Sequence, residues 1–237
     1  MIRAVLFDIG NVLWDDELSD RLFMERILAA LVRRGISPPD NEVAHARDRA
    51  ITAYAPSMIR AAAWTLSGCN SQIYDAVMDE TMAWFQDLPW TRYQELTMPL
   101  PGAHELLAEL RGDGFKLGIV SNNISRARDR LAELGLLPYF HAAGISQIIG
   151  LVKPDPRIFL HVLKDIGVEP HRAAMVGDRL DMDIYPAHLA GLRAIRVLHG
   201  SHRVQQPRYP RDIPDAEVSG LPDIAAVIRR WRFERKA

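Results

Sequence analysis

The segment Ile2-Arg3-Ala4-Val5-Leu6-Phe7 is almost continuously apolar and β-prone, and it stops abruptly at Asp8-Ile9-Gly10-Asn11. A strand pattern without polar alternation is expected where both faces are buried, as in a parallel sheet covered by helices. The pattern recurs after Pro101. A helix carrying Leu106, Leu107 and Leu110 precedes a strand at Phe115–Val120, and a helix from Ser125 to Leu134 ends at Gly135. A short strand is expected near Ala142–Ser146. Asp155 and Pro156 then start a helix with Ile158, Phe159, Val162, Leu163 and Ile166 on one side, stopped by Gly167. Ala173–Val176 reads as a strand, Asp183–Ala190 as a helix, and Ala194–Leu198 as the final strand. Residues 203–214 read as a loop and about 221–235 as a closing helix. Strand–helix alternation of this kind predicts an α/β fold, a doubly wound parallel sheet.

One block breaks the alternation. Residues 16–98 keep helical spacing without a convincing strand: Leu18, Leu22, Ile27, Ala30 and Leu31 form one stripe, closed by Gly35. Helical stretches follow at about 41–66, divided near Pro56, and at 71–88. The prolines from Pro89 to Pro101 mark a return linker. The expected organisation is a core made of 1–15 and 99–237, with an all-α domain inserted at 16–98.

Composition narrows the partners. A formal charge of −1 offers no general attraction to nucleic acid or anionic lipid, so any anion recognition must be local. Cys69 is the only cysteine, which excludes an intrachain disulfide; an ordinary buried or half-buried thiol is expected there. No segment reaches the roughly 18 apolar residues of a membrane span, and a soluble, cytoplasmic protein is expected. His199 and His202 read as solvated loop histidines, and Arg229-Arg230-Trp231-Arg232 as the polar face of the last helix rather than a nucleic-acid site. GxSxG, HExxH and GxxxxGK[ST] motifs are all missing, and Gly112-x-Gly114 precedes a strand instead of following one. Oligomeric state is left open.

In open parallel sheets ligands bind at the carboxyl ends of the strands. Asp8 follows the first strand, Ser121 follows Val120, Asp178 follows Met175-Val176-Gly177, and Lys153 lies in a loop after another strand. These groups are expected on one rim. The set suits phosphoryl transfer: Asp8 as nucleophile, Ser121 and a neighbouring N–H for phosphate oxygens, and Lys153 as fixed positive charge. Asp8 and Asp178 can share Mg²⁺, an ion held by carboxylates, waters and substrate phosphate.

These residues resemble the haloacid dehalogenase superfamily. Leu6-Phe7-Asp8-Ile9-Gly10-Asn11-Val12-Leu13 is similar to its first motif, Val120-Ser121-Asn122-Asn123 to its second, and Lys153-Pro154-Asp155-Pro156 to its third. Val176-Gly177-Asp178…Asp183 is similar to its fourth. All four occur in order over residues 2–198, with the helical insertion in the family's α-cap position. The resemblance implies a Mg²⁺-dependent phosphatase of small phosphate monoesters working through an aspartyl-phosphate on Asp8. It makes Asp8, the Gly10 carbonyl and Asp178 metal ligands, with Asp183 acting through water or by orienting Lys153. Asn11, Ser121, Asn122, Lys153 and Trp14 would meet substrate. Tyr54, Trp64 and Trp84 are further candidates for the wall beneath a cap.

Most phosphatases of the superfamily carry a second Asp two residues after the nucleophile, where this chain has Gly10. General acid–base help is worth about 10²–10⁴-fold, so its loss is significant. The D-x-G-N form resembles a bacterial branch that includes sugar-1-phosphatases. Either a cap residue such as Asp15 or Asp16 (or an ordered water) supplies the proton, or the substrates have good leaving groups. Two further readings stand beside this one: a 2-haloacid dehalogenase, which needs no metal, and a non-catalytic binder of phospho-ligands or proteins.

Overall fold

The computed structural model describes residues 1–234, and the last predicted position of the closing helix, 235, lies outside them. Six strands are present among these residues: β1 Ala4–Phe7, β2 Lys116–Ser121, β3 Ala142–Ile145, β4 Ala173–Gly177, β5 Arg193–Val197 and β6 Ala216–Val218. They form one sheet in the order β3-β2-β1-β4-β5-β6, every pair parallel. β6 is a correction: Ala194–Leu198 is not the last strand. Its three residues sit at the sheet edge with only Val218 buried, too short and too wet to show an apolar run.

The chain divides into two compact units, one of Asp16–Thr97 and the other of Met1–Asp15 with the chain from Met98 onward. The first unit is helical: α1 Glu17–Val32, α2 Asp40–Thr52, α3 Met58–Leu66, α4 Ser71–Gln86 and α5 Trp90–Glu95. Pro56 separates α2 from α3, and Ser57 caps α3 by accepting the Arg60 N–H at 3.3 Å. Asn70 does the same for α4, accepting from Ile73 at 3.2 Å. Met24, Ile27, Leu31, Ala62, Ala63, Leu66, Val77 and Met78 build the apolar centre. Trp84 packs edge-on against Phe23, and Trp64 against Tyr74; Tyr54 is buried. Cys69 is exposed rather than buried, in the turn between α3 and α4.

In the second unit the helices α6 Ala103–Gly112, α7 Arg126–Glu133, α8 Ser146–Ile149, α9 Arg157–Ile166, α10 Tyr185–Leu189 and α11 Pro222–Phe233 flank the sheet. The core joins Val5, Phe7, Leu107, Leu110, Leu117, Ile119, Val176, Ile195, Ile228 and Trp231, all essentially without solvent exposure. That accounts for the unbroken apolar strands. Arg229 on α11 pairs with Glu109 and Asp113, so the arginine cluster brackets a buried Trp231.

Candidate active site

β1 and β4 are neighbours, and β1 is where the strand order reverses direction, the place where the carboxyl ends of such sheets open a crevice. Asp8 leaves β1 with its N–H donating to the Val176 carbonyl at 2.9 Å. One carboxylate oxygen, Oδ1, accepts the Ile9 N–H at 2.8 Å, and Oδ2 lies 2.9 Å from Lys153 Nζ. Lys153 also donates to Asp183 Oδ1 at 2.6 Å, and Asp183 Oδ2 accepts the Arg179 N–H at 3.0 Å. A side chain on Gly177 would overlap the Asp183 carboxyl, so the bare glycine is what lets that acid come so close to the sheet.

Lys153 is itself held in place. The Asn122 side chain accepts the Lys153 N–H at 2.7 Å and donates to the Lys153 carbonyl at 2.9 Å. Its amide is thus engaged on the lysine's backbone. Ser121, 3% exposed, ends β2 beside it. The following loop is stitched to α8: Asn123 N–H donates to Ser146 Oγ at 3.1 Å, and Ser125 N–H to Gln147 Oε1 at 2.6 Å.

Oxygens of Asp8, Asp178 and Asp183 lie within 4.8 Å of one another, all three residues buried. Lys153 pairs with two of these three carboxyls, Asp8 and Asp183, and a hard cation would offset negative charge that remains. A buried, all-oxygen donor set is the chemistry such cations select, so these residues fit a divalent ion of the Mg²⁺ kind. The electrostatics carry the same mark. Burial pushes the Asp183 carboxyl up to about 7, helped by Asp8 and Asp178 and opposed by Lys153. For Lys153 burial alone would draw the ammonium down, but Asp183 and Asp8 more than offset this and hold it above its ordinary value.

Two expectations fail at this rim. Trp14, expected at the surface of the site, is buried. The turn after Asp8, in which the N–H groups of Val12, Leu13 and Trp14 all converge on the Ile9 carbonyl, carries its ring into the sheet's core at 1% exposure. His202 is not solvated; it is 8% exposed, with Nδ1 3.6 Å from Asp178 Oδ2. Asn11, in the left-handed region at φ 55°, donates to the same Asp178 oxygen at 3.3 Å. Asp15 lies 3.9 Å from His199.

Sequence reasoning missed a whole wall. Arg179 forks onto Asp181, with Nε and a terminal nitrogen at 3.2 and 2.7 Å, and Gln205 bridges Asp181 to the Leu180 N–H. Gln205 and His202 lie beyond the last motif, in a stretch whose only signal was the presence of polar residues.

An open parallel sheet that gathers carboxyls and a buried lysine on its carboxyl rim defines an α/β enzyme site. The description of haloacid dehalogenase-like hydrolases matches residues 2–191, and the chain belongs to that family of hydrolases. A glyceraldehyde 3-phosphate phosphatase of Methanopyrus kandleri is 29% identical over 232 residues, spanning 97% of this chain and 98% of its own length. The crystal structure of a HAD phosphatase from Thermococcus onnurineus matches with a TM-score of 0.67 at 27% identity, covering 96% of this chain and 98% of that one. A 2-haloacid dehalogenase from Pseudomonas syringae pv. Tomato matches with a TM-score of 0.60 at 26% identity, covering 98% and 100%. Among the described residues no helix is long and apolar enough to cross a membrane.

Proposed function

We propose that the chain is a Mg²⁺-dependent phosphatase that hydrolyses small phosphate monoesters through an aspartyl-phosphate on Asp8. The observation that carries this is the convergence of Asp8 with Lys153 at 2.9 Å and with carboxyl oxygens of Asp178 and Asp183 within 4.8 Å. Asp8 and Asp178, with the Gly10 carbonyl, would hold the cation, and Asp183 would aim Lys153. Bound there, a Mg²⁺ ion would neutralise phosphate oxygens and lower the repulsion met by an anionic nucleophile.

The chain's own groups do the rest. An Asp8 carboxylate oxygen attacks phosphorus while the bond to the ester oxygen breaks, and that oxygen leaves with a proton. Water then attacks phosphorus, the acyl-phosphate bond breaks, and inorganic phosphate leaves with Asp8 regenerated. Lys153 balances the charge that builds on the transferred group, and Ser121 Oγ offers it a hydrogen bond. Gly10 can neither donate nor accept the proton, so that task falls to another residue or to water. The helical unit Asp16–Thr97 would act as the cap that excludes water and selects substrate.

The test is a phosphate-release screen over metabolites with Mg²⁺, beginning with glyceraldehyde 3-phosphate because a relative is named for it. Asp8→Asn serves as the blank. Turnover lost in that variant, with a hydroxylamine-labile phosphoprotein in the wild type, is the expected result. No turnover across the panel would favour a non-catalytic binder.

A second reading has support from the 2-haloacid dehalogenase match and from Gly10. Three buried carboxyls would repel a haloacid's carboxylate, which weighs against it. Chloride released from 2-chloropropionate in EDTA would reverse the order of the two readings.

A further inference from the structure

We propose that His202 is a positioning residue of the cation site, holding Oδ2 of Asp178 when a divalent ion is bound; this rests on reading Asp178 as a ligand. The backbone at His202 is held from several sides. Arg196 on β5, only 3% exposed, donates to the carbonyls of His202 and Arg203 at 2.9 and 3.1 Å and to Glu217 on β6 at 3.2 Å. The Gln205 N–H closes the turn onto the His202 carbonyl at 3.0 Å, while the Gln205 side chain is tied to Leu180 and Asp181. Gly200, at φ 67°, lets this loop lie against Asn11: a Cβ there would stand 2.5 Å from the Asn11 side chain.

His202 is thus 8% exposed, and its two ring nitrogens have no hydrogen-bond partner among the described residues. Buried polar groups are almost always partnered, so one left idle beside a carboxylate calls for a reason. Nδ1 stands 3.6 Å from Asp178 Oδ2, a few tenths of an ångström beyond hydrogen-bonding distance, and Asn11 already donates to that oxygen. A carboxylate that gives one oxygen to a cation has its other oxygen fixed by outer donors, and removing such a donor typically costs about 10–100-fold in metal affinity. An imidazole N–H at Nδ1 can supply such a donor. Arginine or lysine at the same place would compete with the cation.

Binding of Mn²⁺, followed by loss of the free-ion EPR signal and by calorimetry without substrate, tests the assignment. His202→Leu keeps the packing and removes the donor; its Mn²⁺ affinity is expected to fall about 10–100-fold while its melting temperature changes little. His202→Asn returns an N–H near the Nδ1 position and is expected to recover most of the affinity. His202→Gln, whose amide reaches the Nε2 position, is expected to stay weak. Wild-type affinity in the Leu variant, or equal affinity in the Asn and Gln variants should the Leu variant not fold, would overturn the role. A wild-type protein that binds no Mn²⁺ would instead overturn the cation site on which the role depends.

Discussion

Asp183 has no access to solvent and sits between one ammonium and two carboxyls, with its pKa raised to about 7 chiefly by burial. A carboxyl that titrates higher in the fold than in the unfolded chain prefers to keep its proton there. Its contribution to stability is complete below the ordinary carboxylate range and is lost as pH rises through about 7. In metal-free buffer the wild type is therefore expected to lose melting temperature across that window more steeply than Asp183→Asn. Adding Mg²⁺ is expected to flatten the wild-type slope, since a bound cation favours the ionised acid. Parallel slopes in the two proteins would contradict the assignment. Lys153, whose side chain is 2% exposed, is the other sensitive position. Lys153→Ala leaves two buried carboxyls uncompensated, which typically costs about 3–5 kcal/mol. Denaturant unfolding without metal measures this, and Mg²⁺ is expected to restore part of it. The placing of Asp8, Ser121 and Asp178 at the ends of strands was legible, because each sits where an apolar run stops. Asn122 was legible only as a neighbour; its two-bond hold on Lys153 pairs residues 31 positions apart, which spacing cannot reveal.

At the scale of elements, the packing of α9 on β2 leaves no room for a side chain. A Cβ on Gly118 would meet Ile166, Leu6 and Val162 side chains, each at 2.7 Å. Overpacking of this kind typically costs about 1–3 kcal/mol, so Gly118→Ala is expected to lower the urea midpoint by that amount without changing the m-value. An unchanged midpoint would mean that the helix shifts freely. The strands buried on both faces and the amphipathic α9 were readable from apolar pattern. The helix expected from Asp183 was read less well: it begins as a wide turn at Leu180–Ile184 before α10. That turn forms because the Arg179 carbonyl accepts both the Asp183 and the Ile184 N–H, at 3.0 and 3.2 Å, a backbone detail without a residue signature.

The whole chain is two units with separate apolar centres. At their junction the Asp15 N–H donates to the Met98 carbonyl at 3.1 Å, and the Leu100 N–H to the Leu13 carbonyl at 2.9 Å. The two crossing strands are thus already paired, and a short glycine-containing turn can close them at small entropic cost. A chain in which such a turn replaces Asp16–Thr97 is expected to unfold cooperatively and to bind Mn²⁺, with poorer discrimination among phosphate esters. Circular dichroism melting with Mn²⁺ titration checks the first two, and the substrate panel checks the third. Failure to fold would show that the helical unit supplies stability to the sheet. For the intact enzyme, EDTA is expected to abolish phosphate release and excess Mg²⁺ to restore it.

The sequence by itself determined the alternating sheet, the position of the helical insertion and the acids at the strand ends, because burial on two faces and the strand-to-loop transition are local properties written in residue type and order. Only the tertiary structure decided that Trp14 turns inward, that Asn122 holds the backbone of Lys153, and that His202 comes to Asp178 while Gln205 reaches Asp181. Those outcomes depend on which loops meet across the rim of a twisted sheet, and a one-dimensional pattern does not contain that geometry.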